Sequence, residues 1–154
     1  MNTNLNARYA HTNLIARDWQ KLAAFYEAVF GCIPVPPVRD FSGPDLEAGT
    51  GVPGASLRGV HLLLPGHGTD GPTLEIFNYS LLADAQPTAV NRPGFGHIAF
   101  VVPLVDEAVA LALAHGGARV GEIVTLKVAT GPKVTWCYVR DPEGNIIELQ
   151  SWSV

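Results

Sequence analysis

The order of apolar and polar positions along the chain repeats one pattern. Tyr9 to Ala16 is strand-like. Asp18 then caps a helix running to about Phe30, with Leu22, Phe25, Tyr26 and Val29 at helical spacing and Gly31 at its end. Ile33 to Val38 predicts a short strand, kept to a sheet edge by its prolines. Phe41 to Pro53, rich in Gly, Pro, Asp and Ser, predicts a loop. Leu57 to Leu64 and Thr73 to Asn78 predict two further strands joined by the glycine-rich turn Pro65 to Gly71. The second half runs in the same order. Gly96 to Val102 predicts a strand, and Val105 to His115 a helix closed by Gly116-Gly117. Arg119 to Leu126 and Lys133 to Val139 predict strands, Asp141 to Asn145 a tight turn, and Ile146 to Trp152 the last strand.

A repeat of about 75 residues is too long for a solenoid unit and fits an internal duplication. The expected architecture is α+β: two tandem βαβββ modules, at about residues 9–79 and 94–152, with a linker at about 80–93. Their strands are expected to form an eight-stranded, incompletely closed, barrel-like sheet with helices outside and a cleft within. The 154 residues suit one such domain, and 47% apolar against 16% charged residues leaves ample material for a core. The net charge is -4 with no Lys/Arg cluster, so no nucleic-acid or membrane-surface partner is expected. The polar stretch Met1 to Tyr9 lacks the apolar core of a signal peptide. No run is long and apolar enough to span a bilayer. Cys32 and Cys137 lie far apart, so reduced thiols and a cytoplasmic location are expected.

Against that frame of repeats, two histidines and two glutamates fall at matching places: His11 and Glu75 in the first half, His97 and Glu148 in the second. Side chains alternate along a strand, so each Glu points away from its apolar neighbours, Leu74 and Ile76 or Ile147 and Leu149. A carboxylate is costly to bury without a partner. Two imidazoles and two carboxylates gathered in a cleft make a mixed nitrogen and oxygen site for one divalent ion: Ni, Co, Mn, Fe or Zn, five- or six-coordinate with water. His61 adds to this set. The hairpin turns about position 68, with His61 seven residues before it and Glu75 seven after. The two should therefore be cross-strand neighbours, with Cβ atoms roughly 5 Å apart. An imidazole there suits proton transfer at neutral pH. His67, in the turn, and His115, at a helix end, are expected to be structural or solvated.

The stretches Gly94-Phe95-Gly96-His97-Ile98-Ala99-Phe100 and Asp141-Pro142-Glu143-Gly144-Asn145-Ile146-Ile147-Glu148-Leu149 resemble the vicinal oxygen chelate superfamily. Glyoxalase I, methylmalonyl-CoA epimerase, extradiol dioxygenases and the bleomycin and fosfomycin resistance proteins belong to it. The opening patch from His11 through Phe25-Tyr26 to Gly31 is similar to the first strand and helix of glyoxalase I. The resemblance implies paired modules around one metal held by His11, Glu75, His97 and Glu148. It also implies that the position of His61 is that of the catalytic carboxylate base in methylmalonyl-CoA epimerase. Thr50-Gly51-Val52-Pro53-Gly54-Ala55 resembles a subgroup that includes cyclitol epimerases.

The expected reaction is metal-dependent proton transfer, an epimerisation or isomerisation alpha to the carbonyl of a small hydroxylated ketone or acyl substrate. Glu148 and His61 are the expected acid–base pair, with Glu75 as the alternative to Glu148. A glyoxalase I-type lactoylglutathione lyase, an extradiol-type dioxygenase and a metal-free protein that binds a small molecule or drug are the competing readings. Relatives in the superfamily often pair, so a homodimer is expected.

Overall fold

A computed structural model describes residues 7–129 and 131–153 of the chain. Two compact units divide it: residues up to Ala23 together with Gly31–Leu82, and Ala24–Phe30 together with the chain from Ala83 onward. The fold is α+β, as expected, with three helices and nine strands among the described residues. The strands form one sheet of four and one of five, neither of them closed.

In the first unit, β1 (His11–Ile15) lies parallel to β4 (Thr73–Tyr79). β4 pairs antiparallel with β3 (Ser56–Leu63), and β3 with the edge strand β2 (Ile33–Ser42). Helix α1 (Trp19–Phe30) starts where the pattern placed it. The Asp18 carboxylate accepts a hydrogen bond from the Lys21 amide at 3.0 Å, satisfying one of the open amides of the first turn. Leu62, Leu74 and Ile76 are fully buried on one face of this sheet. The opposite face carries Glu75 and its partners.

Two expectations fail here. Strand β2 runs on to Ser42 instead of ending at Val38. The segment Phe41 to Pro53 is not a plain loop, because it holds the end of β2 and helix α2 (Pro44–Thr50). Pro44 occupies the first turn, where its missing N–H costs nothing. Asp45 and Glu47 face the positive end of the helix. Gly51, in the left-handed region at φ 69°, closes it by donating its amide to the Glu47 carbonyl. Pro36 and Pro37 of β2 sit in a bulge. Val35 pairs with His61 and Arg39 with Gly59, so four steps along β2 match two along β3.

In the second unit, β5 (Ile98–Val101) lies parallel to β9 (Ile146–Ser153), which pairs antiparallel with β8 (Lys133–Arg140). Helix α3 (Val105–Ala114) buries Val105, Val109 and Ala112. The expected strand Arg119 to Leu126 is two strands, β6 (Ala118–Arg119) and β7 (Val124–Lys127), both paired with β8. This makes nine strands where eight were expected. Arg119 pairs with Val139 and Val124 with Trp136, so five steps match three and two residues are extruded around Gly121. The first unit has its bulge at the corresponding place. The linker is held down: the Thr88 hydroxyl donates to the Gly144 carbonyl at 2.6 Å, and Arg140 donates to the Thr88 and Gly144 carbonyls, each at 3.0 Å. No helix among the described residues is long and apolar enough to cross a membrane.

Part of α1 belongs with this second unit. The Tyr26 hydroxyl donates to Asp141 Oδ2 at 3.0 Å, and the Phe30 ring stacks on Phe100 at 3.9 Å between centroids. Asp141 also accepts from the amides of Glu143 and Asn145 and from the Asn145 side chain, at 3.0, 2.9 and 2.8 Å. Burial pushes its carboxyl up from the usual range, and these donated hydrogen bonds oppose that rise.

Gly59 shows how closely β3 and β4 approach. A methyl group there would run into the Ile76 carbonyl and the Phe77 ring. Gly59→Ala is expected to cost about 2–3 kcal/mol through overpacking. Thermal unfolding checks this: a midpoint within about 2 °C of the parent would contradict it.

Candidate active site

Glu75 is the centre of the first unit's polar face. In register it sits between Asn13 on β1 and His61 on β3. The Asn13 side-chain amide donates to Oε2 at 3.2 Å. His11 Nε2 lies 3.3 Å from the same oxygen, and His61 Nε2 lies 3.0 Å from Oε1. One carboxylate, its side chain 12% exposed, thus has three nitrogen neighbours. His61 Nδ1 is 3.4 Å from the Thr73 hydroxyl, and its ring packs edge-on to Phe77 at 5.7 Å. Burial lowers the His61 pKa from the ordinary imidazole value. Arg39 and His11 act in the same direction and Glu75 opposes them. The neutral imidazole is therefore the favoured form at neutral pH.

The second unit repeats the arrangement with different partners. His97, just before β5, places Nε2 3.2 Å from Glu148 Oε2. Tyr138 is directly across from Glu148, where His61 stands across from Glu75. Burial and the Glu148 carboxylate raise the phenol pKa, keeping it protonated. The His97 and Tyr138 rings lie 5.1 Å apart.

Each unit therefore brings together the His and the Glu expected of it, and the first adds His61 in the predicted register. No group of three or more His, Cys, Asp or Glu among the described residues is arranged to hold a metal ion. The donors come as Glu75 with His11 and His61 in the first unit and Glu148 with His97 in the second. Imidazole nitrogen and carboxylate oxygen do match the chemistry of a borderline divalent cation. His67 and His115 are exposed, outside either pair.

The family model of the Glyoxalase/Bleomycin resistance protein/Dioxygenase superfamily matches residues 8–149. The chain belongs to this superfamily. Solved structures of glyoxalase-type proteins share the fold. A glyoxalase family protein from Bacillus cereus is 21% identical, with 100% of this chain and 99% of that one covered at a TM-score of 0.84. A genomically encoded fosfomycin resistance protein from Listeria monocytogenes is 18% identical over 98% and 97%, at 0.61. A glyoxylase/bleomycin resistance protein/dioxygenase domain from Frankia sp. is 17% identical over 96% and 98%, also at 0.61. A search of curated proteins finds no match.

In this glyoxalase-superfamily chain, some contributors to the site are missing from the sequence expectations. Asn13 is one; its signal is its place two residues after His11, on the same strand face. Trp136 and Trp152 are others, since each alternates onto the face of Glu148.

Proposed function

We propose that this glyoxalase-superfamily chain is a divalent-metal-dependent enzyme moving a proton alpha to the carbonyl of a small hydroxylated ketone or acyl compound. The observation carrying the reading is the pairing of a histidine with a partly buried glutamate at corresponding strand positions in both units. In this reading His11, Glu75, His97 and Glu148 hold one cation. When bound, that cation supplies Lewis-acid polarisation of the carbonyl oxygen.

His61 and Glu148 make the proton transfers, with Glu75 able to take the place of Glu148. A proton accepted by His61 leaves an imidazolium that Glu75 Oε1, at 3.0 Å, stabilises. Tyr138 stands across from Glu148, and burial and that carboxylate keep its phenol protonated beside it. Exposed Ile33 and Phe41 along the edge strand β2 support a homodimer in the same reading.

The test is solvent exchange. Metal-loaded protein in deuterated water should place deuterium on the carbon next to the carbonyl for at least one member of a panel of α-hydroxy ketones and acyl thioesters. His61→Ala should slow that exchange by about 100-fold or more while leaving metal content unchanged. A metal-loaded enzyme exchanging nothing across the panel would refute the proposal.

A further inference from the structure

Beside Glu148, the second sheet has a hollow that the first sheet fills. Three cross-strand pairs share the face: Val134 with Trp152, Trp136 with Gln150, and Tyr138 with Glu148. Together they line a cavity of about 180 Å³. In the first unit Gly59 and Phe77 stand where Trp136 and Gln150 stand here, and the Phe77 ring, 9% exposed, fills the space above Gly59. The corresponding face is thus packed in the first unit and open in the second, where aromatic rings wall it.

The walls select the ligand. Trp136 and Tyr138 meet edge to face at 5.1 Å, presenting surfaces at a steep angle to one another. Trp152 is 53% exposed, and its indole N–H is already engaged by the Gln150 side-chain oxygen at 2.5 Å, so its ring is left to make apolar contact. No lysine or arginine lines the hollow, which disfavours an anionic ligand. A polyhydroxylated ring would need several hydrogen-bond partners. Beyond Tyr138 and Glu148 the lining offers only the Gln150 amide, whose oxygen already accepts from the Trp152 indole. A dry apolar cavity of about 150 Å³ accepts benzene, so this one has room for a single substituted ring.

We infer that this hollow binds a planar, uncharged aromatic ring of the substrate, the carbonyl-bearing substituent being directed to Glu148. The substrate class is then a small aryl hydroxyketone. The inference rests on the reading of Glu148 as part of the reaction site.

Binding can be read on metal-free, full-length protein from its indole N–H resonances. The chain has three tryptophans, and Trp19, on α1, is the internal control. Titrated α-hydroxyacetophenone should shift Trp136 and Trp152 but not Trp19. It should bind about tenfold or more tightly than hydroxyacetone, which lacks the ring. Trp136→Ala should weaken binding about tenfold, and Trp136→Tyr should hold it within about threefold. Trp152→Ala, at an exposed position, should weaken it about threefold or more even if Trp136→Ala fails to fold. Unmoved Trp136 and Trp152 signals would overturn the inference. So would tighter binding of myo-inositol or choline than of the aryl ketone. Metal content and deuterium exchange are separate readouts. Ring binding without either sustains the hollow and sinks the enzyme; both without ring binding do the reverse.

Discussion

Glu148→Gln is expected to remove stoichiometric metal from the purified protein and to lower the exchange rate by about a thousandfold or more, roughly 4 kcal/mol of barrier. The amide keeps the volume and one oxygen but loses the charge that a divalent cation and the protonated Tyr138 both favour. Metal affinity should fall by at least about 100-fold across Ni, Co, Mn and Zn, more than loss of a supporting hydrogen bond alone would produce. The metal-free fold should be affected less than by the same change at Glu75, because Glu148 has the one nitrogen neighbour His97 where Glu75 has three. Glu75→Gln should match it in metal loss but also unfold earlier. Its amide N–H₂ group must face one of three nitrogen neighbours, Asn13, His11 or His61, that the carboxylate now accepts from or pairs with. Metal analysis after dialysis and thermal unfolding without metal separate these effects. Full metal occupancy in Glu148→Gln would remove the four-ligand centre from consideration.

The largest effect on stability is expected at Asp141, a residue with no part in the proposed chemistry. Every buried side-chain nitrogen and oxygen among the described residues has a partner, and Asp141 is the acceptor for four donors. Asp141→Ala leaves the hydroxyl of Tyr26, a residue with no exposed surface, without this acceptor and unties the turn leading into β9. A buried donor stripped of its acceptor costs about 1–3 kcal/mol, and the turn amides add to it, giving about 3–5 kcal/mol in all. For a chain of this size that is a fall of roughly 10–15 °C in the unfolding midpoint. Tyr26→Phe removes donor and demand together and should cost only about 1 kcal/mol. An Asp141→Ala midpoint as high as that of Tyr26→Phe would show that the carboxylate is not the keystone of this turn.

Much of this was legible in the residues. The α+β class and most of the elements in their order along the chain follow from apolar spacing, because a buried sheet face demands alternation and a covered helix demands a stripe. The contact between His61 and Glu75 could be counted from the centre of a glycine-rich turn, since a hairpin is symmetric about its bend. Spacing says less about what lies opposite an apolar stripe. Leu22, Phe25 and Tyr26 predict a covered helix face but not that Tyr26 reaches Asp141, more than a hundred residues on. Helix α2 was hidden because Gly, Pro, Asp and Ser compose both loops and short capped helices, and only the order Gly43-Pro44-Asp45 tells the two apart. The break between β6 and β7 comes from extra residues facing a regular partner, a count that needs the pairing first. The tryptophans beside Glu148 were within reach of simple alternation. Trp152 lies four positions past Glu148, and Trp136 two before Tyr138.

The division of α1 bears on how such a chain can change over generations. Ala24–Phe30 sits between segments of one half yet contributes Tyr26 and Phe30 to the packing of the other. A gene split at the linker would strip the downstream product of a wall it cannot supply, and would leave the upstream product an aromatic helix end with nothing to cover. The two repeating halves thus share one helix, and neither can be cut out of the chain without dividing it.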